Sequence, residues 1–181
     1  GKIAAADPAA SSSAFEHLVN MLYAMGDGNP EKGWDYVKKL CANLDGKLLS
    51  GSSAVYKGVA DGEYAVGLTY EEGGISYVVS GSPVKVIYMK EGVISKPEGV
   101  YIIKGAKNLE NAKKFIDYCV SLDAQNILIN KVNRRAIRKD ASSSEVVIPM
   151  TEIYSIKDDP DFVESNRQKW LDKFRDIYTG I

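Results

Sequence analysis

Short runs of small or β-branched apolar residues alternate along this chain with segments whose apolar positions repeat at i, i+3, i+4 and i+7. Alternation between the strand and helix periods marks a layered α/β fold. Residues 3–6, "IAAA", read as a short strand of small residues. Phe15, Leu18, Val19 and Leu22 then line one face of a helix that "GDGNP" ends. Pro30 suits the first turn of the next helix, which carries Trp34, Val37, Leu40 and Cys41 on one face. The theme repeats as a strand at 47–49, a Ser/Gly loop, a short helix around Val55 and Val59, and a buried strand over 64–69. A further strand is expected over 84–89, "VKVIYM". Gly92, Pro97 and Gly99 make residues 92–99 an extended linker. "VYII" predicts a strand, and Asn108 caps a helix with Ala112, Phe115, Ile116, Cys119 and Val120 facing inward. "NRRAIRKDASSSEVVIP" is polar and irregular, and a last helix from about Asp161 presents Val163, Trp170, Phe174 and Ile177.

Charge narrows the function classes. The 181 residues hold 23 Lys and Arg against 24 Asp and Glu, a net charge of −1. Such a chain has no global basic field to hold duplex nucleic acid or anionic lipid. No run of 18 apolar residues predicts a membrane span. Cys41 and Cys119 fall on apolar positions of helical patterns, which predicts two buried free thiols. With one histidine, His17, and no Cys/His cluster, no zinc site is expected, and His17 reads as a helix surface residue. The chain opens directly on a strand, which suggests a piece of a longer protein.

Candidate chemistry gathers at three places. In "DPAASSSAF", Ser11, Ser12 and Ser13 precede a helix. Serine caps helices there, and unpaired N–H groups with added hydroxyls also receive anions, so capping and anion binding both remain open. "SGSSAVYKG" places Ser52 and Ser53 at the start of a second strand–loop–helix unit. Two such loops at one end of neighbouring strands would converge where an open α/β sheet binds ligands. "GLTYEEGG" sets Tyr70, Glu71 and Glu72 at a predicted strand tip, with Gly73 and Gly74 for a sharp turn. Carboxylates there could accept from hydroxyls or an ammonium group, or stand in a solvated turn. There is no nucleophile elbow or Ser/His/Asp arrangement to support hydrolase chemistry. Arg134, Arg135 and Arg138 could fork onto a phosphate, though such clusters are more often ion-paired surface.

Taken together, "GKIAAADPAASSSAF", "DGEYAVGLTYEE", "PVKVIYMKEGVISKPEGVYIIKGAKNLENAKKFIDYCVSLDAQNIL", "NRRAIRKD" and "NRQKWLDKF" resemble the extracytoplasmic solute-binding proteins of ABC transporters. The nearer likeness is to the ferric-ion, sugar-phosphate and phosphonate binding group with the type II periplasmic-binding-protein fold. That resemblance implies an α/β lobe, an open mixed sheet flanked by helices, within a two-lobed clamp. Residues 1–91 would form the main part of the C-terminal lobe and 92–99 a crossover. Residues 100–130 would be a strand and helix of the otherwise missing N-terminal lobe, and 131–181 a return segment with the last helix. An apolar face over 100–128 would then lie uncovered, and self-association through it is expected.

By the same resemblance the chain is no enzyme and uses no cofactor. It would capture a small anionic solute outside the cytoplasm and deliver it to a membrane permease. Iron-binding members use adjacent tyrosines, and here Tyr70 is followed by Glu71 and Glu72, so a sugar phosphate or phosphonate is the better match. Ser11, Ser12 and Ser13 would receive the phosphate, with Ser52, Ser53 and Tyr70 around it, and Glu71 or Glu72 would accept from hydroxyls. Ferric ion, or service as the ligand-sensing domain of a regulator, are the alternatives.

Overall fold

Phe15, Leu18, Val19 and Leu22 are all fully buried on α1 (Ser12–Met25), as their spacing predicts. They meet Trp34, Val37 and Cys41 of α2 (Trp34–Asn43) and Val163, Trp170 and Phe174 of α7 (Pro160–Thr179) in one apolar cluster. Full burial of side chains this size is worth about 1.5–3 kcal/mol each. The Arg167 guanidinium closes the cluster from outside, 3.9 Å above the Phe15 ring. Asp159 caps α7 by accepting from the Phe162 N–H at 3.0 Å, and its own N–H donates to the Tyr23 hydroxyl at 3.2 Å. The end of α1 and the start of α7 are thereby tied.

This computed structural model describes residues 2–180. They fall into two units, one comprising residues up to Ser95 and from Met150 onward, the other Lys96–Pro149. The first is an α/β lobe. Its β1 (Ile3–Ala4) runs parallel to β2 (Val66–Gly67), with Ile3 opposite Val66 and Ala4 opposite Gly67. On the other side of β1, Leu49 bridges Ala6, also in parallel. The Leu49 N–H donates to Ala5 O and the Asp7 N–H to Leu49 O, both at 2.9 Å. Ala4, Ala6, Ala14 and Val55 form a second cluster, and their small size lets α1 and α3 (Ser52–Ala60) lie close on the strands. In chain order the three strand positions are thus arranged second, first, third.

A second parallel pair joins β3 (Val93–Ile94) to β4 (Ser155–Ile156) in the same unit. The buried Asn20 of α1 holds β3: its Nδ2 donates to Gly92 O at 3.1 Å, and its Oδ1 accepts from the Ile94 N–H at 2.6 Å. A buried amide so satisfied costs little, and it fixes the strand against the helix.

The unit Lys96–Pro149 contains α5 (Leu109–Cys119) and α6 (Leu122–Val132). Ser121 caps α6, accepting from the Ala124 N–H at 3.3 Å. The buried Gln125 donates to Cys119 O and accepts from the Ile137 N–H, both at 2.8 Å. Arg134 pairs with Glu98, and Arg138 with Asp140 at 2.7 Å. Arg134 and Arg138 of the arginine cluster therefore supply ion pairs within this unit.

Several expectations need correction. The strand over 47–49 reduces to the bridge at Leu49, and that over 64–69 to Val66–Gly67, where Val66 is 54% exposed rather than buried. Residues 84–89 alternate half-buried and exposed, as an extended chain does, but form no ladder among the described residues. The "VYII" segment likewise forms none, and its Tyr101 and Ile103 are 87% and 81% exposed. No residue of α5 is buried, so its periodic apolar face, with Phe115 at 61% exposure, is not inward. Cys119 is only half-buried. Residues 71–79 form α4 (Glu71–Val79), which places Gly73 and Gly74 inside a helix rather than a turn. His17 is half-buried and lines an apolar cavity, rather than lying on the open helix surface.

Candidate functional site

Three helices of the α/β unit begin just past the carboxyl ends of three adjacent parallel strand positions: α1 after β1, α3 after Leu49, and α4 after β2. In an open α/β sheet with this second–first–third order, the crevice for ligand lies outside the carboxyl ends where the connections part to opposite sides. Here that point is between β1 and β2. Residues 7–13 flank it on one side and residues 68–72 on the other. The serine loop of α3 lies on the far side of β1.

Each loop ends differently. Pro8 follows Asp7, whose carboxylate accepts from the Ala9 N–H at 2.8 Å and whose carbonyl accepts from Ser11 N at 2.9 Å, turning the chain into α1. Ser11 is the N-cap: its hydroxyl accepts from the Ala14 N–H at 3.4 Å and lies 3.2 Å from the Ser13 hydroxyl. Ser11 thus serves as a cap. Ser12, exposed, and Ser13, half-buried, stand at the first two helical positions, whose N–H groups have no intrahelical acceptor. Gly51 is the N-cap of α3 and supplies no side-chain bond, so half-buried Ser52 and exposed Ser53 open that helix uncapped.

Tyr70 is the N-cap residue of α4, again without a side-chain cap bond, and Glu71 and Glu72 occupy its first turn. Carboxylates are favoured at this positive end of a helix. The two acids are half-buried, and Tyr70 is 38% exposed with its ring edge-on to Tyr56 of α3 at 6.0 Å. A helical glycine costs roughly 1 kcal/mol against alanine, and both glycines of α4 answer a close approach. A Cβ on Gly73 would sit 2.5 Å from the Tyr56 ring, and one on Gly74 would sit 2.7 Å from Val86 Cγ2. The Tyr88 hydroxyl, two residues beyond Val86, donates to Glu71 Oε1 at 2.6 Å. Sequence reasoning missed Tyr88. The only signal was its place on the same side as Val84 and Val86 in an alternating segment.

All eight anticipated residues thus lie past the carboxyl ends of the strands, at the N-caps or in the first turns of three helices. His17 of α1 lines a small apolar cavity of about 20 Å³ with Ala5, Pro8, Ala14, Met21 and Leu44. Burial pushes its pKa down to about 4. Its Nε2 is buried with no hydrogen-bond partner among the described residues.

The starts of α1 and α4 flank the topological switch point of this parallel α/β lobe, the place where open α/β sheets hold ligands. The chain belongs to the bacterial extracellular solute-binding proteins, whose family model matches residues 1–162. It is similar to the periplasmic binding protein AfuA of Actinobacillus pleuropneumoniae, whose structure holds exogenous fructose 6-phosphate. The likeness has a TM-score of 0.85 at 26% identity, over 99% of this chain and 56% of that one. A two-component-system protein described as mediating signal transduction matches 91% of this chain and 56% of its own, with a TM-score of 0.66 at 25% identity. An uncharacterised protein of Haemophilus influenzae is 28% identical over 127 residues, 70% of this chain and 36% of that protein. The chain therefore spans little more than half the length of these solved relatives and about a third of the curated one. No helix among the described residues is long and apolar enough to cross a membrane.

Proposed function

We propose that this chain is the larger part of the C-terminal lobe of a substrate-binding component of an ABC importer. It works outside the cytoplasm and captures a phosphorylated sugar or a related phosphonate. The observation that supports the reading is that the start of α1, with its serines, and the start of α4, with Glu71 and Glu72, flank the β1/β2 switch point on its two sides. Ser12 and Ser13 receive the phosphate with their N–H and hydroxyl donors, while Ser11 holds the helix end in shape. Glu71 and Glu72 accept from sugar hydroxyls. Ser52, Ser53 and Tyr70 complete the rim. The similarity to AfuA with fructose 6-phosphate supports this choice of solute.

Transport follows from a clamp. A second lobe, carried by the part of the protein beyond these 181 residues, closes over the solute. Only the difference in affinity between closed and open forms drives that closure. The closed form is the one presented to the permease. Residues 100–128, with exposed Val100, Tyr101, Ile103, Phe115 and Tyr118, form the surface that this lobe covers. The 181 residues alone would self-associate through it.

The test is titration calorimetry on the intact protein with fructose 6-phosphate, fructose, inorganic phosphate, 2-aminoethylphosphonate and ferric ion. The reading requires binding of fructose 6-phosphate that weakens by about ten- to a hundredfold in Ser12→Ala/Ser13→Ala, the worth of hydrogen bonds to a charged group. Binding of ferric ion alone, or a phosphate affinity indifferent to the two serines, would reject it. Similarity to the two-component protein favours a second reading, a sensing domain that binds the same solute class. Transport lost on deletion, with solute-dependent gene expression kept, separates importer from sensor.

A further inference from the structure

Glu71 and Tyr88 lie 17 residues apart in sequence, and the path between them is fixed by one close contact. Val86 reaches the backbone of α4 at Gly74, where any Cβ would stand 2.7 Å from its Cγ2. From there the extended chain carries Tyr88, on the same half-buried side as Val84 and Val86, to Glu71, one helical turn before Gly74. The hydroxyl arrives 2.6 Å from Glu71 Oε1, at hydrogen-bond length.

We propose that Tyr88 is a positioning residue for solute selectivity: it holds the Glu71 carboxylate in the orientation that accepts from a hydroxyl of the bound sugar phosphate, and Gly74 sets the register that makes this possible. The proposal rests on the reading of Glu71 as a hydroxyl acceptor. In the proposed site the phosphate's donors lie on α1, whereas the Tyr88 hydroxyl is bonded to Glu71. Its contribution therefore falls on discrimination between a sugar phosphate and bare phosphate. A glutamate with several rotatable bonds samples many orientations, and fixing one in advance removes an ordering cost from binding.

The experiment compares fructose 6-phosphate with inorganic phosphate on the intact protein by calorimetry, for wild type, Tyr88→Phe, Glu71→Gln, the double variant and Gly74→Ala. The expected result is an affinity for fructose 6-phosphate about tenfold lower in Tyr88→Phe, with inorganic phosphate unchanged within about twofold. No further loss should follow when Tyr88→Phe is added to Glu71→Gln. Gly74→Ala should reproduce the selectivity loss with Tyr88 present. Equal weakening for both ligands would mark a merely structural tyrosine and overturn the proposal. Additive losses in the double variant would overturn it too, because Tyr88 would then act apart from Glu71. Wild-type protein that does not prefer fructose 6-phosphate to phosphate would refute the reading of Glu71, and the proposal with it. A wild-type preference that survives Tyr88→Phe would remove Tyr88 alone.

Discussion

Acidification should destabilise this protein through His17. His17, on α1, lines an apolar cavity, and burial lowers its pKa from 6.5 to about 4. The folded state therefore disfavours the proton that the unfolded chain binds near pH 6.5. Above that pH both states hold a neutral imidazole and nothing is lost. As pH falls from 6.5 toward 4 the unfolded chain takes up a proton that the folded state refuses, so stability declines by about 1.4 kcal/mol per pH unit. The loss is complete below about pH 4 and totals about 3 kcal/mol. That is a large fraction of the 5–15 kcal/mol of a typical domain.

His17→Leu isolates this contribution from the carboxylates, which titrate in both proteins. Urea melts of wild type and variant at half-unit steps from pH 7.5 to 4.5 should show curves that diverge as pH falls, the variant becoming more stable by about 2–3 kcal/mol. At neutral pH the variant should be no less stable, because it also removes the orphaned Nε2, whose burial costs about 1–3 kcal/mol. Parallel pH profiles would refute the argument, since they would mean that His17 takes up its proton equally in both states.

Gly73→Ala should destabilise by about 1–3 kcal/mol in denaturant melts, although helix propensity alone predicts a gain of roughly 1 kcal/mol, because its Cβ would strike the Tyr56 ring. Asn20→Leu should cost about 1–3 kcal/mol by leaving Gly92 O and the Ile94 N–H buried without partners, and hydrogen exchange at Ile94 should accelerate. Burial raises the Cys41 thiol to about 11, so a maleimide at pH 7.5 should label half-buried Cys119 and reach Cys41 only on unfolding. Glu31→Gln, which removes the pairs to Lys169 at 3.5 Å and Lys173 at 3.3 Å, should cost under about 1 kcal/mol at low salt and nothing measurable at 1 M.

The sequence by itself determined the helices whose one face is apolar. Phe15, Leu18, Val19 and Leu22 on α1 and Val163, Trp170 and Phe174 on α7 are buried as their spacing requires, since a 3.6-residue period needs no partner to be recognised. His17 was misread as a helix surface residue, although it lies three residues after Ala14 and four before Met21, both of which line its cavity. Its polarity masked that placement. Strand limits were not legible, because a residue becomes strand by gaining a ladder partner, and runs such as 84–89 carry the right alternation without one. The periodic face of α5 shows the converse: amphipathicity states that a face should be covered, and only the surrounding chain decides whether it is.

The serine and glutamate motifs announced themselves as chemistry. Their placement past the carboxyl ends of the same parallel strands depended on the strand order second, first, third, which no local pattern encodes. Tyr88 on Glu71 lay further from reach, since it follows from a glycine that lets an extended segment touch a helix. Composition and period act over a few residues, whereas close approach and charge pairing are settled only when distant segments share the same space.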